Sequence, residues 1–336
     1  MRAAVLTELG KPLELMDLYV PPLSVGQVLV RVHASGICGA QMGEIAGAKG
    51  KDPYLPHLLG HEGGGVVLDI GPGVTTVKPK DHVVLHWRKG TGIEAAPPKY
   101  PWEGGTVGGG WITTFNDHAV ISENRMTKIP KEIPFEIAAL MGCAVTTALG
   151  LINNEAKLRI GESIAVAGCG GVGLNIIQGA ALVGGNPILA LDWCLPKLKM
   201  AVNVGATRIF SNMQKLSSEP PVDVFVDCTG DPGVIEAGYN MVKLGGGRMI
   251  LLGQPDYDDA LILPGFRKHY CGKTIMDSQG GLTNPTEDIP RYLRLYQFGK
   301  LPLEQFITHR FPLEQVNKAL SVVRDGLAGR VILTME

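Results

Sequence analysis

Two thiols and one imidazole occupy settings that suit a metal ion. Cys38 lies in a Gly-Ile-Cys-Gly stretch, His61 in Leu-Gly-His-Glu-Gly, and Cys143 in Gly-Cys-Ala-Val-Thr-Thr. Two thiolates and one imidazole would bind Zn²⁺ and leave its fourth position open, as in catalytic rather than structural sites. Such an ion polarises a carbonyl, or lowers the pKa of an alcohol so that hydride can leave its carbon. The three residues are far apart in sequence, and cysteine is often a small buried apolar residue. Spacing alone therefore leaves zinc binding and ordinary core packing both open.

A glycine-rich motif, Gly168–Gly173, has the form of a dinucleotide-binding turn. It follows the apolar run 163–167, which predicts a buried parallel strand, and it opens a helical pattern of apolar residues. Of the glycines at such a turn, one allows the tight turn, one lets the backbone approach a pyrophosphate closely, and one lets the helix pack on the strand. The helix N-terminus adds free N–H groups and a positive dipole end. The cofactor contacts predicted here are Gly168, Gly170, Gly171, Val172 and Gly173.

A carboxylate stands where a ribose would bind. The apolar run 187–191 predicts the second strand and ends at Asp192. A carboxylate there accepts hydrogen bonds from the ribose hydroxyls and repels a 2′-phosphate, which favours NAD over NADP. Lys197 is placed to reach the same ribose, although its charge and that of Lys199 weaken the preference slightly. The alternative is a structural glycine turn followed by a solvated aspartate.

Length, composition and charge limit the classes of protein to which this chain can belong. The chain has 336 residues, of which 45% are hydrophobic and 19% charged, with a formal charge of −1. This length allows two domains with their own cores, and the charge indicates neither nucleic acid nor an anionic membrane surface as a partner. No apolar stretch approaches the roughly 20 residues of a membrane span. Six cysteines in so long a chain predict free thiols or metal ligands and a cytoplasmic location rather than a disulfide scaffold.

The order of patterns along the chain predicts two kinds of fold. Up to about residue 122, short strands separated by turns indicate a β barrel or sandwich, and residues 88–110 are expected to form a long surface loop. The stretch 135–153 is apolar and helical. From residue 163, strands and helices alternate, as in a doubly wound parallel sheet whose ligand lies at the carboxyl ends of the strands. Thr229 and Gly253 follow two such ends. The last strand, 330–334, is expected to return to the first domain.

Taken together, these motifs resemble the zinc-dependent alcohol dehydrogenases of the medium-chain dehydrogenase/reductase superfamily. The resemblance runs nearly end to end and includes Gly-Pro-Gly-Val at 71–74, Lys-Pro-Lys-Asp-His-Val at 78–83, Asp-Cys-Thr-Gly at 227–230 and Glu-Gln-Val-Asn-Lys-Ala at 314–319. It implies an α/β fold with a GroES-like β-rich catalytic domain, residues 1–145 and 280–336, and a Rossmann NAD-binding domain, residues 146–279, with the active cleft between them.

The resemblance also implies roles for individual residues. Cys38, His61 and Cys143 correspond to the ligands of one catalytic zinc per subunit, and Glu62 to an alternative or transient ligand. Arg330 corresponds to a residue that pairs with the cofactor pyrophosphate. Trp87 falls at an aromatic wall of the substrate pocket, although core packing explains it equally well. Family members assemble as homodimers or homotetramers.

The sequence departs from the family pattern in three places. Residues 88–110 contain no cysteine, so we expect no structural zinc. Ala40 replaces the hydroxyl residue that carries the substrate proton, and a methyl group cannot relay one; water or a group such as His86 would have to serve. Gln41 replaces a carboxylate, and a neutral amide can orient a zinc-bound histidine without strengthening it.

The interpretation we favour is a zinc- and NAD-dependent oxidoreductase that acts on an alcohol or carbonyl, with a sugar, polyol or cyclitol favoured as much as a simple alcohol. One alternative is a zinc-free reductase of the same superfamily, which the three ligand residues argue against. Another is a non-catalytic protein that senses the NAD redox state, supported only by Ala40 and Gln41.

Overall fold

The chain folds as two units that differ in secondary structure. The computed structural model describes residues 1–48, 50–256, 258–263 and 271–335. One unit comprises Met1–Thr146 and the chain from Asn284 onwards, and the other comprises Thr147–Thr283. These bounds lie within a few residues of those expected from sequence. Each unit encloses a hydrophobic cluster of its own.

The first unit is rich in strands, which form two sheets. Its strands are β1 (Arg2–Leu6), β2 (Glu14–Asp17), β3 (Gln27–Gly36), β4 (His57–Leu58), β5 (Glu62–Ile70), β6 (His82–His86), β7 (Lys99–Trp102), β8 (Gly105–Gly108), β9 (His118–Ser122), β10 (Met126–Ile129), β17 (Ile307–Pro312) and β18 (Arg330–Thr334). One sheet has the order β2-β1-β4-β8-β7. The other has the order β10-β6-β5-β3-β18-β17, and β9 also pairs with β3.

Strand β3 is the centre of the larger sheet. Val28, Val30 and Val32 alternate along it and are fully buried, which is the period-two pattern of a strand with one face in the core. It pairs antiparallel with β5, with β9 and with β18, and Leu333 lies opposite Ser35. The last strand of the chain therefore belongs to the first unit.

Helices flank these sheets, and one helix expected from sequence is broken in two. The helices α1 (Gly39–Ala46), α2 (Phe135–Met141), α8 (Pro285–Gln297) and α9 (Val316–Arg324) lie in the first unit. The apolar stretch expected to be helical from 135 to 153 is broken after α2, and helix α3 (Ala144–Gly150) continues into a π-helical turn, Leu151–Ala156. The break contains Cys143, so the thiol lies at a helix junction rather than within a helix.

The prediction of a long surface loop at 88–110 is wrong for residues 99–108. Strands β7 and β8 form an antiparallel hairpin there, and β8 joins β4. Tyr100 and Val107 are fully buried, and the Tyr100 hydroxyl accepts a hydrogen bond of 2.8 Å from the backbone N–H of Val120. Proline and glycine in these short strands hide the alternation that would have revealed them.

The second unit is a parallel sheet with helical connections. Its elements are β11 (Ile164–Ala167), α4 (Gly171–Leu182), β12 (Ile188–Leu191), α5 (Leu195–Asn203), β13 (Arg208–Phe210), α6 (Met213–Leu216), β14 (Val224–Asp227), α7 (Pro232–Met241), β15 (Arg248–Leu251) and β16 (Thr274–Asp277). The order β13-β12-β11-β14-β15-β16 is that of the dinucleotide-binding α/β fold. The predicted doubly wound sheet is confirmed.

Within the described ranges, no single helix is long and apolar enough to cross a membrane. One bent pair of helices, Phe135–Met141 with Ala144–Ala156, is together long and apolar enough to do so, judged by length and composition alone. Most residues of the first of these two helices are buried in the protein core.

Candidate metal centre and nucleotide-binding turn

Three side chains predicted as metal ligands converge in the first unit. One ligand atom from each of Cys38, His61 and Cys143 lies within 4.8 Å of the other two. Two sulfurs on a tetrahedral zinc, each about 2.3 Å from the ion, would be about 3.8 Å apart. The spacing and the donor set therefore both fit a zinc ion.

The surrounding elements explain this convergence. Cys38 lies between the end of β3 and the start of α1, and His61 directly precedes β5, which pairs with β3. Gly142, the residue before Cys143, packs closely against β5 and β6. A Cβ on it would lie 2.2 Å from the Leu85 carbonyl oxygen and 2.9 Å from the Glu62 Cα. Only glycine lets the chain after α2 pass this close to β5 and β6.

Electrostatics prepare the two thiols for a cation. A hydrogen bond with Cys143, together with His61, holds the pKa of Cys38 well below its usual range, although burial opposes the shift. The same hydrogen bond, with burial, raises the pKa of Cys143. Metal binding requires both thiolates, so a divalent cation would displace the proton of Cys143.

Glu62 does not join the three ligand atoms. One oxygen of its fully buried carboxylate accepts a hydrogen bond from the Arg330 guanidinium, and the other has no partner among the described residues. Burial raises the pKa of Glu62, and Arg330 opposes that shift. A Cβ on Gly36 would lie 2.7 Å from both partners, so glycine makes room for the ion pair. Ligation by Glu62 stays a prediction.

Gln41 is oriented by a carboxylate that sequence reasoning missed. Its Nε2 donates to Glu44 Oε2 at 3.3 Å, and its buried Oε1 has no partner in the described chain. Burial lowers the pKa of His61, but Cys38, Glu62 and Glu44 outweigh it and raise that pKa. Glu44 therefore brings near His61 the negative charge that Gln41 lacks. The three-residue spacing of Gln41 and Glu44 on α1 was the available signal.

His86 is not placed to relay a proton. It is buried, and its two ring nitrogens hydrogen-bond to the Arg88 carbonyl at 2.7 Å and to the Thr127 hydroxyl at 2.9 Å. Burial lowers the pKa of His86 to about 4. The ring is thus neutral at pH 7, and both of its nitrogens are engaged in hydrogen bonds. The suggestion that His86 replaces the hydroxyl missing at Ala40 is therefore not supported.

The glycine turn of the second unit has three distinct local requirements. Gly168 has φ +92°, which favours glycine. A Cβ on Gly170 would meet no described atom within 4 Å, so the backbone is open to a ligand there. A Cβ on Gly173 would lie 1.9 Å from the Gly168 carbonyl oxygen, because helix α4 packs tightly on the turn. Gly171 and Val172 form the first turn of α4.

Asp192 and Lys197 follow the second strand of the same sheet. Asp192 follows β12, and its carboxylate accepts hydrogen bonds from the backbone N–H groups of Cys169, at 2.7 Å, and Cys194, at 2.8 Å. The first bond ties the carboxylate to the glycine turn and the second ties it to the start of α5; sequence reasoning missed both. Lys197 is buried on α5.

Thr229 and Gly253 follow β14 and β15. The Thr229 hydroxyl donates to Asp227 at 2.6 Å. A Cβ on Gly253 would lie 2.0 Å from the backbone nitrogen of Gly230, so the two strand ends are in close contact.

Comparisons with known proteins agree with this architecture. A family model described as "Alcohol dehydrogenase GroES-like domain" matches residues 24–131, and one described as "Zinc-binding dehydrogenase" matches residues 171–297. The chain is 30% identical to alcohol dehydrogenase class-3 of Cereibacter sphaeroides, over 99% of both chains. It is 31% identical to an NDMA-dependent alcohol dehydrogenase of Amycolatopsis methanolica, over 97% of this chain and 96% of that protein.

Solved structures are similar over the whole chain. Benzyl alcohol dehydrogenase from Acinetobacter calcoaceticus matches with a TM-score of 0.86 and 25% identity, over 100% of this chain and 99% of that one. An alcohol dehydrogenase zinc-binding domain protein from Burkholderia ambifaria matches with a TM-score of 0.87 and 26% identity, over 100% of this chain and 98% of that one. The β-rich unit is thus a GroES-like domain and the parallel-sheet unit a Rossmann-like domain.

Proposed function

This chain belongs to the zinc-type alcohol dehydrogenases of the medium-chain dehydrogenase/reductase superfamily, and we propose that it transfers hydride between an alcohol or carbonyl substrate and NAD(H). The observation that carries the proposal is the convergence of Cys38, His61 and Cys143 within 4.8 Å. Three ligands of these types would hold one catalytic zinc.

The side chains around the centre have separate tasks. Cys38, His61 and Cys143 would hold the ion, which would supply Lewis acidity toward an alcohol or carbonyl oxygen. Glu44 orients the Gln41 amide and places negative charge near His61. Arg330 neutralises Glu62 and so keeps that carboxylate off the three ligands while the pair is intact. Ala40 offers no hydroxyl, so the substrate proton leaves by way of water.

The cofactor we propose is NAD, bound by the second unit. Gly168, Gly170 and Gly173 shape a turn that opens at Gly170, and N–H groups at the start of α4 suit a pyrophosphate. The Asp192 carboxylate is rigidly held and would repel a 2′-phosphate. Further contacts are proposed for Gly171, Val172, Lys197, Thr229, Gly253 and Arg330.

For the substrate we propose an apolar primary alcohol, with an aromatic alcohol as the first choice. Residues 99–108 form a hairpin in which Tyr100 and Val107 are fully buried, rather than part of a long polar loop with room for a sugar or polyol. A similar solved structure is named benzyl alcohol dehydrogenase. Polyols are the alternative, which the same assay tests.

Turnover assays with metal analysis test the proposal. We expect the purified protein to contain zinc and to reduce NAD with benzyl alcohol, faster than with NADP or with sorbitol. Cys38→Ala should lose both zinc and turnover. Turnover without zinc would instead indicate the zinc-free reductase. Full zinc and bound NAD without turnover on any alcohol or polyol would favour the non-catalytic NAD sensor.

We further propose that two or four copies assemble. Strand β16 lies at the edge of the parallel sheet, and Ile275 on it is 40% exposed. An exposed strand edge offers unpaired backbone groups to a second copy. Light scattering coupled to gel filtration should give the mass of a dimer or tetramer, and a monomer mass at micromolar concentration would contradict this.

A further inference from the structure

Four consecutive polar residues, Ser122, Glu123, Asn124 and Arg125, are buried in the first unit. They form the turn between β9 and β10, which we call the 122–125 turn. Polar side chains are rarely buried in succession unless each has partners. Here most of the partners lie in one stretch, Trp87–Trp111, which spans the predicted loop and contains the β7–β8 hairpin.

Glu123 joins this stretch to the backbone at residues 75 and 76. Its Oε1 accepts hydrogen bonds from the N–H groups of Thr75, at 2.7 Å, and Thr76, at 2.9 Å, and its Oε2 accepts from Ile93 N–H at 2.8 Å. Charge-assisted bonds of this kind are about twice as strong as neutral ones. They lower the pKa of Glu123, although burial opposes the shift.

Ser122 and Asn124 fix the same stretch at neighbouring points. The Ser122 hydroxyl accepts from Ala95 N–H at 2.8 Å and donates to the Ile93 carbonyl at 3.0 Å. The backbone carbonyl of Asn124 accepts from Gly90 N–H at 2.7 Å. The backbone from residue 90 to 95 is therefore held at several points.

Arg125 contacts both ends of the stretch and its middle. Its Nη1 donates to the Trp87 carbonyl, its Nη2 lies 2.9 Å from Glu94 Oε2, and its guanidinium carbon lies 5.1 Å from the centre of the Trp111 ring. One planar group thus satisfies a carbonyl, a carboxylate and an aromatic face, which a lysine cannot do together.

Trp87 directly follows β6, the strand that pairs with β5 next to the metal ligand His61. In the antiparallel pairing of β5 and β6, Glu62 is opposite His86. The next residue before Glu62 is the metal ligand His61, and the next residue after His86 is Trp87. Trp87 therefore directly follows the residue that pairs with Glu62, and Glu62 directly follows the metal ligand His61.

We propose that Arg125 is a positioning residue that holds Trp87 against the substrate side of the metal centre and so selects among alcohols by shape. The inference rests on the proposed alcohol dehydrogenase activity. Arg125 acts through the main chain of Trp87, while Glu94 fixes the direction of its guanidinium.

Kinetics of Arg125 variants on two substrates test this role. The ratio of kcat/KM for benzyl alcohol to that for ethanol should fall about tenfold in Arg125→Ala, mainly through the KM for benzyl alcohol, because a displaced wall changes fit more than chemistry. Arg125→Lys should recover part of the ratio, and Glu94→Gln should lower it less. Zinc content should stay unchanged in all three variants.

Arg2→Ala is the matched control, since it breaks an exposed ion pair with Asp17 elsewhere in the unit and should leave the ratio unchanged. A folded, zinc-loaded Arg125→Ala with an unchanged ratio overturns the proposal. If that variant does not fold, an unchanged ratio in Glu94→Gln and Arg125→Lys overturns it.

A spectroscopic readout separates this inference from the proposed function. Subtracting the near-ultraviolet circular dichroism of a Trp87→Phe background isolates the signal of Trp87, and Arg125→Ala should diminish that signal. If the wild type oxidises no alcohol, the proposed function fails while the spectrum still reports whether Arg125 fixes Trp87. An unaltered Trp87 signal in Arg125→Ala overturns the positioning role.

Discussion

Arg330 and Glu62 form a buried ion pair directly beside the three metal ligands, although 268 positions separate them in the chain. The pair arises because β18 and β5 both pair with β3. Its carboxylate has one oxygen without a partner among the described residues. The guanidinium predicted to face a pyrophosphate thus has a structural partner within its own unit.

Breaking this pair should cost stability. Glu62→Gln leaves the Arg330 charge buried without a counter-charge, so we expect the free energy of unfolding to fall by about 3 kcal/mol in urea denaturation. Arg2→Ala, which breaks an exposed pair, should cost at most about 1 kcal/mol. Equal losses in the two variants would show that the buried pair is not a stability element.

His86 should make the fold sensitive to acid. Its pKa is about 4 in the folded protein and about 6.5 when unfolded. Because the folded value is lower, the unfolded chain takes up the proton first, and stability is lost as the pH falls from about 6.5 to about 4, by up to about 3 kcal/mol. Above that window the contribution is complete.

Urea denaturation at several pH values checks this. Between pH 6.5 and 4, the unfolding free energy should fall less steeply in His86→Gln than in the wild type, since the variant lacks the titrating ring while other groups titrate alike. Parallel curves for the two proteins would rule out a neutral buried His86.

Two glycines of the nucleotide turn should respond differently to the same substitution. Gly173→Ala places a methyl 1.9 Å from the Gly168 carbonyl oxygen and should destabilise the second unit by about 3 kcal/mol or more. Gly170→Ala meets no described atom within 4 Å, so the fold should persist while the Kd for NADH rises at least tenfold. Thermal unfolding and NADH fluorescence titration measure the two effects. Unchanged NADH affinity in Gly170→Ala would place the pyrophosphate elsewhere.

Asp192 should set the coenzyme preference and also hold the turn. Asp192→Gly removes the repulsion of a 2′-phosphate, so the ratio of kcat/KM for NADP to that for NAD should rise. It also removes the acceptor for Cys169 and Cys194 N–H, so affinity for both coenzymes should fall. Asp192→Asn is the control, since it removes the charge but keeps one acceptor. An unchanged ratio in both variants would mean that Asp192 does not face the ribose.

Restoring a hydroxyl at position 40 should accelerate turnover. Positioned proton transfer contributes about 10²–10⁴-fold, so Ala40→Ser should raise kcat if the hydroxyl is the only missing part. Ala40→Thr and Ala40→Val have the same shape, and only the first should show the gain. Equal kcat in the Thr and Val variants would show that the proton leaves by a route independent of position 40.

Local patterns in the sequence were sufficient for much of the fold. The glycine turn at 168–173, the strand that ends at Asp192 and the alternation of strands and helices after residue 163 involve neighbours within about 30 residues, and their periods follow from backbone geometry alone. The hairpin at 99–108 could not be predicted in this way, because its strands are only four residues long and contain proline and glycine.

The sequence by itself determined which residues could bind zinc and a dinucleotide, since thiol, imidazole and carboxylate chemistry is a property of residue type. Only the tertiary structure decided that Cys38, His61 and Cys143 meet, that Glu62 faces Arg330, that Glu44 replaces a missing charge and that Arg125 holds Trp87. These contacts join segments far apart in the chain, and strand register and close approaches at glycines such as Gly142 select them. No local period encodes such a register, because it is fixed by the packing of whole sheets.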